Sequence, residues 1–558
     1  MPQNFLQNHR LYLTPLSPLH LGTGEDYEPT NYVIENGVLY AFDPMQAKLT
    51  LEQRAALDQA VNDPCSLIAV RKYFYNHPAP YRQIAFRNIN VAPDIATEYS
   101  EEIQRNKNAL SIQRNAVNPL TGLAYIPGSA VKGTLRTTCL DKLNNQTKPI
   151  TSDYINNNPS KGIDIAKLEK RLLQGDFSAD MFRLLKISDF MPTHHDIVSR
   201  VQYAVNRRRD VKLYKGKQVE NHALTVRREN ICPAQYRAFS ASVSIQNLPE
   251  HISCIDKKGR DLLPKKAFRQ PDLADLVRQN NQYHLTRWAQ EYHLLDELNL
   301  ADKKWLKETD LLLKNLTGEL AQGRIMLVRL GKNTGAESKV LSGEGVAQIL
   351  IKQTKANGGG EKPQDHTETL WLASEKEKSN TGLLPYGWAL IEIDTKQEQV
   401  ILKQWCENQG RWGVREISIK NEREAREAAE RKEKEARATE LAAMSPADSL
   451  IADWLEKIQK FVFNRNDQQA HTEFYQILQA ALQNAQVEFS SSEQKQIGEA
   501  LSFNIINSLK PGLFTVSNKR EKEIKAILRQ LRGEKAASTP RKSHEQAHPY
   551  QFFRKIQA

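Results

Sequence analysis

The sequence predicts an α+β protein that ends in a separate all-α domain, and three patterns support this class. Residues 31–43 carry β-forming side chains on both sides of Asn36-Gly37, the dipeptide preferred in type I′ hairpin turns. The Pro-Gly pair at 127–128 turns the chain into a stretch with helical spacing. After Ser445, apolar residues recur on one helical face, following a segment of charged residues and alanine.

Composition narrows the class of protein. At 558 residues the chain has room for about three or four domains. Its formal net charge of +12 favours an acidic partner, most simply nucleic acid. The five cysteines lack C-x-x-C spacing, which indicates a reducing compartment and argues against disulfides or a zinc site. Without a signal-peptide pattern or an apolar run of about 18 residues, we expect a cytoplasmic protein with no membrane partner.

The chain is predicted to open with a strand. Residues 11–21 place apolar side chains on one face and run into Gly22-Thr23-Gly24. A helix is predicted near 50–62, with polar loops after it, so that residues 45–115 have the pattern of an insertion.

The functional prediction centres on the segment IPGSAVKGTLR, residues 126–136. Gly128 suits a turn in which φ is positive. Ser129 is a candidate N-cap for a helix that should continue through Leu143.

Basic residues follow on the same helix. Lys132, Gly133 and Arg136 share a face of the first turns. Backbone N–H groups at a helix start attract anions, and the small Gly133 allows close approach, so the pattern fits a phosphate contact. An ordinary loop-to-helix turn, with solvated charges, fits the same residues.

A strongly basic stretch extends from 200 to 237 and includes Arg207-Arg208-Arg209. β-type pieces at 211–214 and 223–226 flank Lys215-Gly216-Lys217, which predicts a basic hairpin able to lie along a phosphate backbone. A solvated charged loop is the alternative. A loop, a helix and a strand are predicted before this stretch, at residues 144–162, 165–173 and 182–189.

A second glycine-rich turn, Gly331-Lys332-Asn333-Thr334-Gly335, follows a buried strand, with Ser338 and Lys339 just beyond. Basic residues beside two such turns are consistent with binding of a phosphate backbone. The elements predicted around it are a strand, a helical region and three further strands, at residues 236–245, 265–320, 325–330, 369–372 and 388–393.

The carboxyl end changes character near residue 420. Glu and Lys or Arg recur there at i,i+4 with no apolar side chain larger than alanine, which predicts an exposed helical spacer. Ser445 is the expected N-cap of a small domain of four helices, with Pro446 at N1. The five predicted regions are a first module with insertions, a helical insertion with a second module, the spacer, the helical domain and a basic disordered tail, at residues 1–250, 251–415, 416–444, 445–533 and 534–558.

The sequence contains no G-x-S-x-G, phosphate-loop or H-E-x-x-H motif, and we predict no catalytic residue, metal or cofactor. His194-His195 is interpreted as a surface turn. His20, just before the first glycine turn, is the one histidine that could serve as a general base for RNA cleavage, although a structural role fits it too.

Four segments in order resemble the RAMP proteins of CRISPR type III-A (Csm) complexes. Residues 13–29 are similar to the opening of that family, and residues 126–136 to its IPGSSxKGxxR signature. Ile187-Ser188-Asp189 resembles a strand end of the family, and residues 331–339 its glycine-rich segment near the carboxyl end. The resemblance covers roughly residues 8–415, so the spacer and the helical domain lie outside it.

The resemblance implies ferredoxin-like (RRM-like) modules whose glycine-rich loops contact the crRNA. It is greatest to the terminal RAMP subunit, which caps the backbone at the crRNA 3′ side and supports crRNA maturation and antiviral defence without catalysis. The implied partners are the crRNA, the target RNA by proximity, the repeated backbone RAMP subunit and the small helical subunit.

The residues expected to contact RNA come from the glycine turns, the central segment and the basic stretch. They are His20, Gly22, Thr23, Gly24, Gly128, Ser129, Lys132, Gly133, Arg136, Arg207, Arg208, Arg209, Gly331, Lys332, Gly335, Ser338 and Lys339. Two alternatives stay open: a crRNA-processing endoribonuclease that uses His20, and a scaffold subunit that contacts only proteins.

Overall fold

The structure is a computed structural model. It describes residues 5–534 apart from 104–109, 159–161, 196, 210–212, 215–216, 219–224, 260, 343–348, 353–360, 365, 410–427, scattered positions in 429–442, 462–467 and 510–517. The chain forms two compact units, Met1–Glu422 and Arg423–Ala558. The predicted tail beyond residue 534 and most of the predicted spacer lie outside the described residues.

The described strands all lie in the first unit. In chain order they are β1 Leu6–Pro15, β2 Gly22–Tyr27, β3 Tyr32–Glu35, β4 Val38–Ala41, β5 Arg87–Val91, β6 Ile112–Asn115, β7 Leu185–Ile187, β8 Met191–Pro192, β9 Ser199–Arg208, β10 Leu213–Tyr214, β11 Lys217–Gln218, β12 Thr225–Ile231, β13 Phe239–Gln246, β14 Ile325–Arg329, β15 Ile349–Lys352, β16 Glu361–Gln364, β17 Thr369–Ser374, β18 Leu384–Pro385 and β19 Trp388–Ile393.

The described helices occur in both units. They are α1 Leu51–Val61, α2 Ser66–Asn76, α3 Pro78–Gln83, α4 Pro93–Glu102, α5 Gly128–Thr147, α6 Ile165–Leu172, α7 Leu273–Glu297, α8 Lys303–Asn315, α9 Thr317–Gln322, α10 Val400–Asn408, α11 Pro446–Lys460, α12 Gln468–Glu488, α13 Ser491–Ala500, α14 Phe503–Leu509 and α15 Asn518–Leu531. Helices and sheets thus combine in the first unit, as the α+β prediction requires.

A six-stranded antiparallel sheet joins distant parts of the first unit. Its strand order is β14-β19-β1-β13-β7, and β8 also pairs with β13. The central β1 pairs with β13 from Leu6 opposite Gln246 to Leu13 opposite Phe239. On its other side β1 pairs with β19, so the first strand of the chain holds the last strand of this unit.

Both faces of this sheet are covered. Successive residues of β14 belong alternately to two apolar clusters: Ile325 and Leu327 to one, Met326 and Val328 to the other. The second cluster includes Val131 on α5, so the helix that carries the central segment packs on the sheet. The other cluster also contains residues of the second sheet.

The second sheet has nine strands in the order β2-β6-β12-β9-β5-β4-β3, with β17 on β9 and β18 on β17. The predicted hairpin is confirmed as β3 and β4, with positive φ at Asn36 (52°) and Gly37 (74°). The sheet also contains β5 and β6, so residues 45–115 are not the insertion that the sequence suggested, although the helix predicted near 50–62 is confirmed as α1. Helices α2, α3 and α4 also lie within residues 45–115. Each buries a tyrosine in an apolar cluster: Tyr73, Tyr81 and Tyr99, respectively.

Several other predicted elements need correction. The predicted strand at 182–189 is confined to β7, because residues 181–183 form a 3₁₀ turn in which Asp180 accepts a hydrogen bond from the N–H of Phe182. Helix α5 extends four residues beyond Leu143, into the predicted loop. Of the predicted basic hairpin, the structure describes β10 and β11, which pair with each other; Lys215 and Gly216 lie outside the described residues.

The described elements of the second unit are helices. Ser445 caps α11 by accepting a hydrogen bond from the N–H of Asp448 at 3.1 Å, with Pro446 at the first helical position, as predicted. The predicted third helix, 493–509, is two helices, so the described residues form five instead of four. Leu501 leaves helical geometry between α13 and α14, and the turn buries both Leu501 and Ile506 in one core.

Within the described residues, no helix combines the length and apolar character needed to cross a bilayer. No cluster of three or more histidine, cysteine or acidic side chains suited to a metal ion occurs among them either.

Candidate nucleic-acid interface

The second glycine-rich turn meets the segment just before the first one at a backbone junction formed by residues 16–21, 330–332 and 386–388, which we call the turn junction. The N–H of Lys332 donates to the carbonyl of His20 at 2.9 Å, and the N–H of Gly387 donates to that of Pro18 at 3.0 Å. The N–H of Leu330 donates to the carbonyl of Gly387 at 2.8 Å. Three segments far apart in the chain are therefore held side by side.

Glycine is required where these segments cross. Gly331 has φ of +91°, and a Cβ there would collide with the carbonyl oxygen of His20. Gly387 has φ of +98°, and a Cβ there would collide with Thr334 and with the carbonyl of Leu330. Both glycines thus serve positive φ and close backbone approach together.

His20 is a buried, neutral part of the junction. Its side chain is 1% exposed, and Nδ1–H donates to the carbonyl of Glu229 at 2.8 Å. The pKa of His20 is lowered to about 4, mainly by burial; the charge of Arg228 also lowers it, and the hydrogen bond to Glu229 opposes the shift. At neutral pH the imidazole therefore carries no charge.

Glu229 stabilises the turn junction through a buried network of an ion pair and hydrogen bonds. It is fully buried and forms an ion pair with Arg87. Tyr27 Oη donates to its carboxylate at 3.1 Å, and the N–H of Asn115 does so at 3.2 Å. Because Asn115 Oδ1 in turn accepts from the N–H of Leu21 at 2.6 Å, this network fixes the chain just before Gly22.

Two cations lie beside the junction, and among the described residues no carboxylate is within ion-pair distance of either. Asp26 on β2, opposite Gln113, attracts both of them from farther away. Lys332 is exposed, and its Nζ is 3.3 Å from Gln113 Oε1, which also accepts from Arg228 Nε at 2.7 Å. Arg228 is 3% exposed, and its Nη1 has no hydrogen-bond partner among the described residues. Burial lowers the pKa of both cations. Gly22-Thr23-Gly24 is exposed next to this pair, so an anion can reach it.

The start of α5, residues 126–136, differs from the prediction. The N-cap position is Pro127, not Ser129, which is exposed. The N–H of Gly128 donates to the carboxylate of Asp189 at 2.9 Å. Gly128 does not have positive φ; a Cβ there would collide with the carbonyls of residues 187 and 188. The helix start is therefore already supplied with an anion from within the chain.

Arg136 is also engaged by internal carboxylates. Its Nη1 lies 3.0 Å from Glu169 Oε1, and its Nη2 lies 3.1 Å from Asp180 Oδ2. Lys132, one turn earlier, is half-buried and makes no ion pair within 4 Å among the described residues; burial and then Lys186 lower its pKa, against the opposing charge of Asp180. Gly133 is exposed with open space around it. Of the two predicted cations on this helix, Lys132 is the one available to an anion.

The three consecutive arginines at the end of β9 do not form a common surface. Arg207 is buried, and its Nη2 donates to the carbonyl of Glu377 at 3.0 Å, so this side chain is engaged within the fold and not on the surface. Arg208 is exposed, whereas Arg209 pairs with Glu337 at 2.8 Å. Alternate residues of a strand face opposite sides, which the sequence reasoning overlooked.

The residues after the second glycine-rich turn also include one that is buried within the fold and one that is exposed. Gly335 has φ of +74°. Ser338 is buried and donates to the carbonyls of Thr334 at 2.7 Å and Gly335 at 3.0 Å, so it closes the turn and has no free hydroxyl for RNA. Lys339 is exposed, and its Nζ donates to the carbonyl of Gly331 at 3.1 Å.

Arg228 and Gln113 were not among the predicted site residues. Arg228 belongs to the basic stretch, but the sequence alone does not distinguish it from Arg227, which pairs with Glu98. Gln113 carries no sequence signal, because its role comes from the parallel pairing of β6 with β12.

Comparison with known proteins assigns the family. The model of the RAMP superfamily matches residues 12–334, more than half of the chain, and includes the turn junction up to Lys332 and the start of α5. The chain belongs to the RAMP superfamily.

Within that superfamily the chain is similar to CRISPR proteins of type III-A. A relative from Methanocaldococcus jannaschii, named CRISPR system Cms protein Csm5, is 26% identical over 177 residues, which are 31% of this chain and 40% of the relative. A relative of the same name from Streptococcus thermophilus is 25% identical over 300 residues, which are 50% of this chain and 77% of the relative.

Two solved structures are similar to this chain over part of its length. A chain of the Csm-crRNA-target RNA ternary complex of a type III-A CRISPR-Cas system gives a TM-score of 0.39 at 14% identity, with 69% of this chain and 100% of that chain covered. T. onnurineus Csm5 gives a TM-score of 0.34 at 15% identity, with 58% of this chain and 89% of that chain covered.

Proposed function

We propose that this protein binds a crRNA as a non-catalytic structural subunit of a type III-A Csm complex. The observation that carries this proposal is the turn junction, where exposed Lys332 and buried Arg228 lie beside exposed Gly22–Gly24 and, in the part of the chain that the structure describes, have no carboxylate within ion-pair distance. A phosphate would supply the missing negative charge, and the glycines leave the backbone accessible.

Family membership and the names of the two relatives support the Csm assignment. The finer parts of the proposal rest on the resemblance: a position capping the backbone at the crRNA 3′ side, support of crRNA maturation and antiviral defence, and contacts with the repeated backbone RAMP subunit and the small helical subunit. Target RNA would be a neighbour by proximity.

The state of His20 favours binding over the endoribonuclease alternative. A general base works best when its pKa lies near the operating pH. Burial holds the pKa of His20 at about 4, and Nδ1–H is already committed to the carbonyl of Glu229. The imidazole is thus suited to hold the turn in place and is a poor base at neutral pH.

We also propose that the first unit contains two ferredoxin-like modules, with boundaries near residues 250 and 415. The pairing of β1 with both β13 and β19 supports an arrangement in which the two halves share one sheet. The helical domain at 445–533 would provide a surface outside the part that resembles the family.

The proposal is tested with Lys132→Glu combined with Lys332→Glu, purified from a host that carries the whole locus. We expect the double variant to lose most co-purifying crRNA while its circular dichroism stays unchanged. Each replaced phosphate contact should also reduce by about 1 the slope of log affinity against log salt. Arg136→Glu is unsuitable, because it would place a carboxylate between Glu169 and Asp180.

The matched control is Lys307→Glu, an exposed lysine on α8. Unchanged RNA retention in the double variant, or equal loss in the control, would contradict the proposed interface. Absence of any salt-sensitive RNA binding would favour the protein-only scaffold. Cleavage of repeat RNA by the purified protein, abolished in His20→Gln, would favour the endoribonuclease.

A further inference from the structure

A cleft of about 830 Å³ lies beside the second glycine turn. Helix α7 forms one wall with Arg287 and Leu294, and residues 333–342 form another. The start of β17 closes it with Leu370 and Trp371. This volume is in the range of pockets that hold small ligands.

The cleft is lined by donors that lack acceptors. Arg209 Nε, Arg287 Nε and Asn333 Nδ2 are buried and have no hydrogen-bond partner among the described residues. No carboxylate of the described residues is within ion-pair distance of Arg287 either; its guanidinium lies over the Tyr283 ring at 4.9 Å, and its Nη1 donates to Gln290 Oε1 at 3.3 Å. Three unsatisfied donors call for a ligand rich in acceptor oxygens.

The two carboxylates of the lining do not meet this demand. Glu291 accepts from Arg329 Nη2 and from Trp388 Nε1, each at 2.6 Å. Glu337 accepts from Arg209 Nη2 at 2.8 Å and from the N–H of Thr367 at 2.7 Å. Lys339 also lines the cleft, so the remaining charge in it is positive.

Part of the lining is apolar and aromatic. Leu294, Leu370 and the half-buried Trp371 offer a surface on which a base can pack. The guanidinium of Arg228, beside the turn junction, lies 6.0 Å from the centre of the Trp371 ring. The cleft and the turn junction are thus neighbours across one tryptophan.

The geometry points to a binding site for a nucleoside phosphate in this cleft, with the phosphate held by Arg287 and Asn333 and the base against Trp371. This goes beyond the proposed function, because a free nucleotide and a single nucleotide turned out of a bound RNA strand present the same chemistry. The binding is non-covalent and needs no further reactant.

Calorimetric titration of the full-length chain with adenosine 5′-monophosphate and with inorganic phosphate tests the site. We expect the monophosphate to bind, and Arg287→Met to weaken it about tenfold or more, as expected for loss of a charged hydrogen bond. The methionine keeps an apolar stem over Tyr283. Arg278→Met, an exposed arginine on the same helix, is the matched control and should bind like the parent protein.

A second variant tests the site independently if Arg287→Met does not fold. Asn333→Asp removes the amide donor at a position with φ of +66°, which Asp tolerates about as well as Asn, and should weaken binding as well. Absence of monophosphate binding by the parent protein, or unchanged affinity in both variants, overturns the site whatever happens to crRNA retention.

Titration with a short single-stranded RNA distinguishes the two sources. Loss of affinity for this RNA in Arg287→Met, beyond that in Arg278→Met, assigns the site to a nucleotide of an RNA strand. Weakened monophosphate binding with unchanged RNA affinity assigns it to a free nucleotide. Failure of the proposed function is read separately, from the Lys132 and Lys332 double variant.

Discussion

The start of α5 and the turn junction contain similar sequence patterns, a glycine turn followed by basic residues, yet they differ in what balances their charge. At the start of α5, Asp189 takes the N–H of Gly128, and Glu169 and Asp180 hold Arg136. At the turn junction, the carboxylate of Glu229 is paired with Arg87, and no other described carboxylate comes within ion-pair distance of Lys332 or Arg228.

Whether a cation is paired with an internal carboxylate determines whether it contributes to stability or remains available for binding. A cation paired within the fold adds stability but is not available to a ligand, because the ligand would have to displace the internal carboxylate. A cation held without a carboxylate lowers the stability of the fold, and its charge remains available to bind an anionic ligand. Lys132 is the exception at the start of α5, since the described residues place no carboxylate within 4 Å of it, although Asp180 attracts it from farther away.

The largest effect is expected from breaking the support of the turn junction. Glu229→Gln leaves Arg87 buried without its charge partner and should lower the free energy of unfolding by about 3 kcal/mol or more. Glu169→Gln, which removes one of two carboxylates from the partly exposed Arg136, should cost about 1 kcal/mol or less. Urea unfolding of both variants measures the difference, and equal losses would contradict the contrast.

The next effect concerns the crossing of the backbone segments. Gly331→Ala must place a Cβ against the carbonyl of His20 at positive φ, and should cost about 2–4 kcal/mol. Gly382→Ala has a similar φ of +70° but open space, so it should cost only about 1 kcal/mol. Thermal unfolding compares them. A Gly331→Ala variant as stable as Gly382→Ala would show that the segments can separate at little cost.

Buried imidazoles make both regions sensitive to acid. Burial lowers the pKa of His20 to about 4 and that of His284, which bonds to Thr134 on α5, to about 3. The unfolded chain binds these protons near pH 6.5, so stability is complete above about 6.5 and is lost as the pH falls toward 4.

Between pH 7 and 5, each imidazole should remove about 2 kcal/mol of stability. His20→Gln and His284→Gln should each flatten the pH dependence of the unfolding free energy in this range. An unchanged slope in either variant would mean that the corresponding ring is not neutral in the folded protein.

The smallest expected effect sharpens the comparison at α5. Gly133→Ala lies in an exposed helical position with open space, and should raise stability by about 0.5–1 kcal/mol. RNA affinity of this variant, measured by filter binding, reports whether a phosphate approaches α5 here. A fall in affinity with the stability gain would place RNA against Gly133, and unchanged affinity would leave Lys132 as a side-chain contact only.

Much of the local structure could be read from the sequence. The Asn36-Gly37 hairpin, the helix that starts near Gly128 and the Ser445 cap of α11 depend on residues a few positions apart, whose backbone preferences act without the rest of the chain. The stretch at 45–115 was misread because buried tyrosines there pack against distant elements.

The functional site could be predicted only as a set of candidates. The glycine turns and the basic residues near them were identified from composition and motif, but their roles were not. Arg136 and Arg207 have the same sequence signals as Lys332, and the structure commits both to internal partners. Arg228 shows no distinguishing signal, since its lack of a carboxylate depends on which side chains surround it.

By itself, the sequence determined where turns and helices begin and which residues are able to bind an anion, because dihedral preference and side-chain chemistry are local properties. Only the tertiary structure decided that His20 and Gly331 are in contact and that Asp189 binds the start of α5. It also decided that no described carboxylate pairs with Lys332 or Arg228. The physical reason is that electrostatic balance depends on distances between residues far apart in the chain, and these are set by the pairing of β1 with β13 and β19.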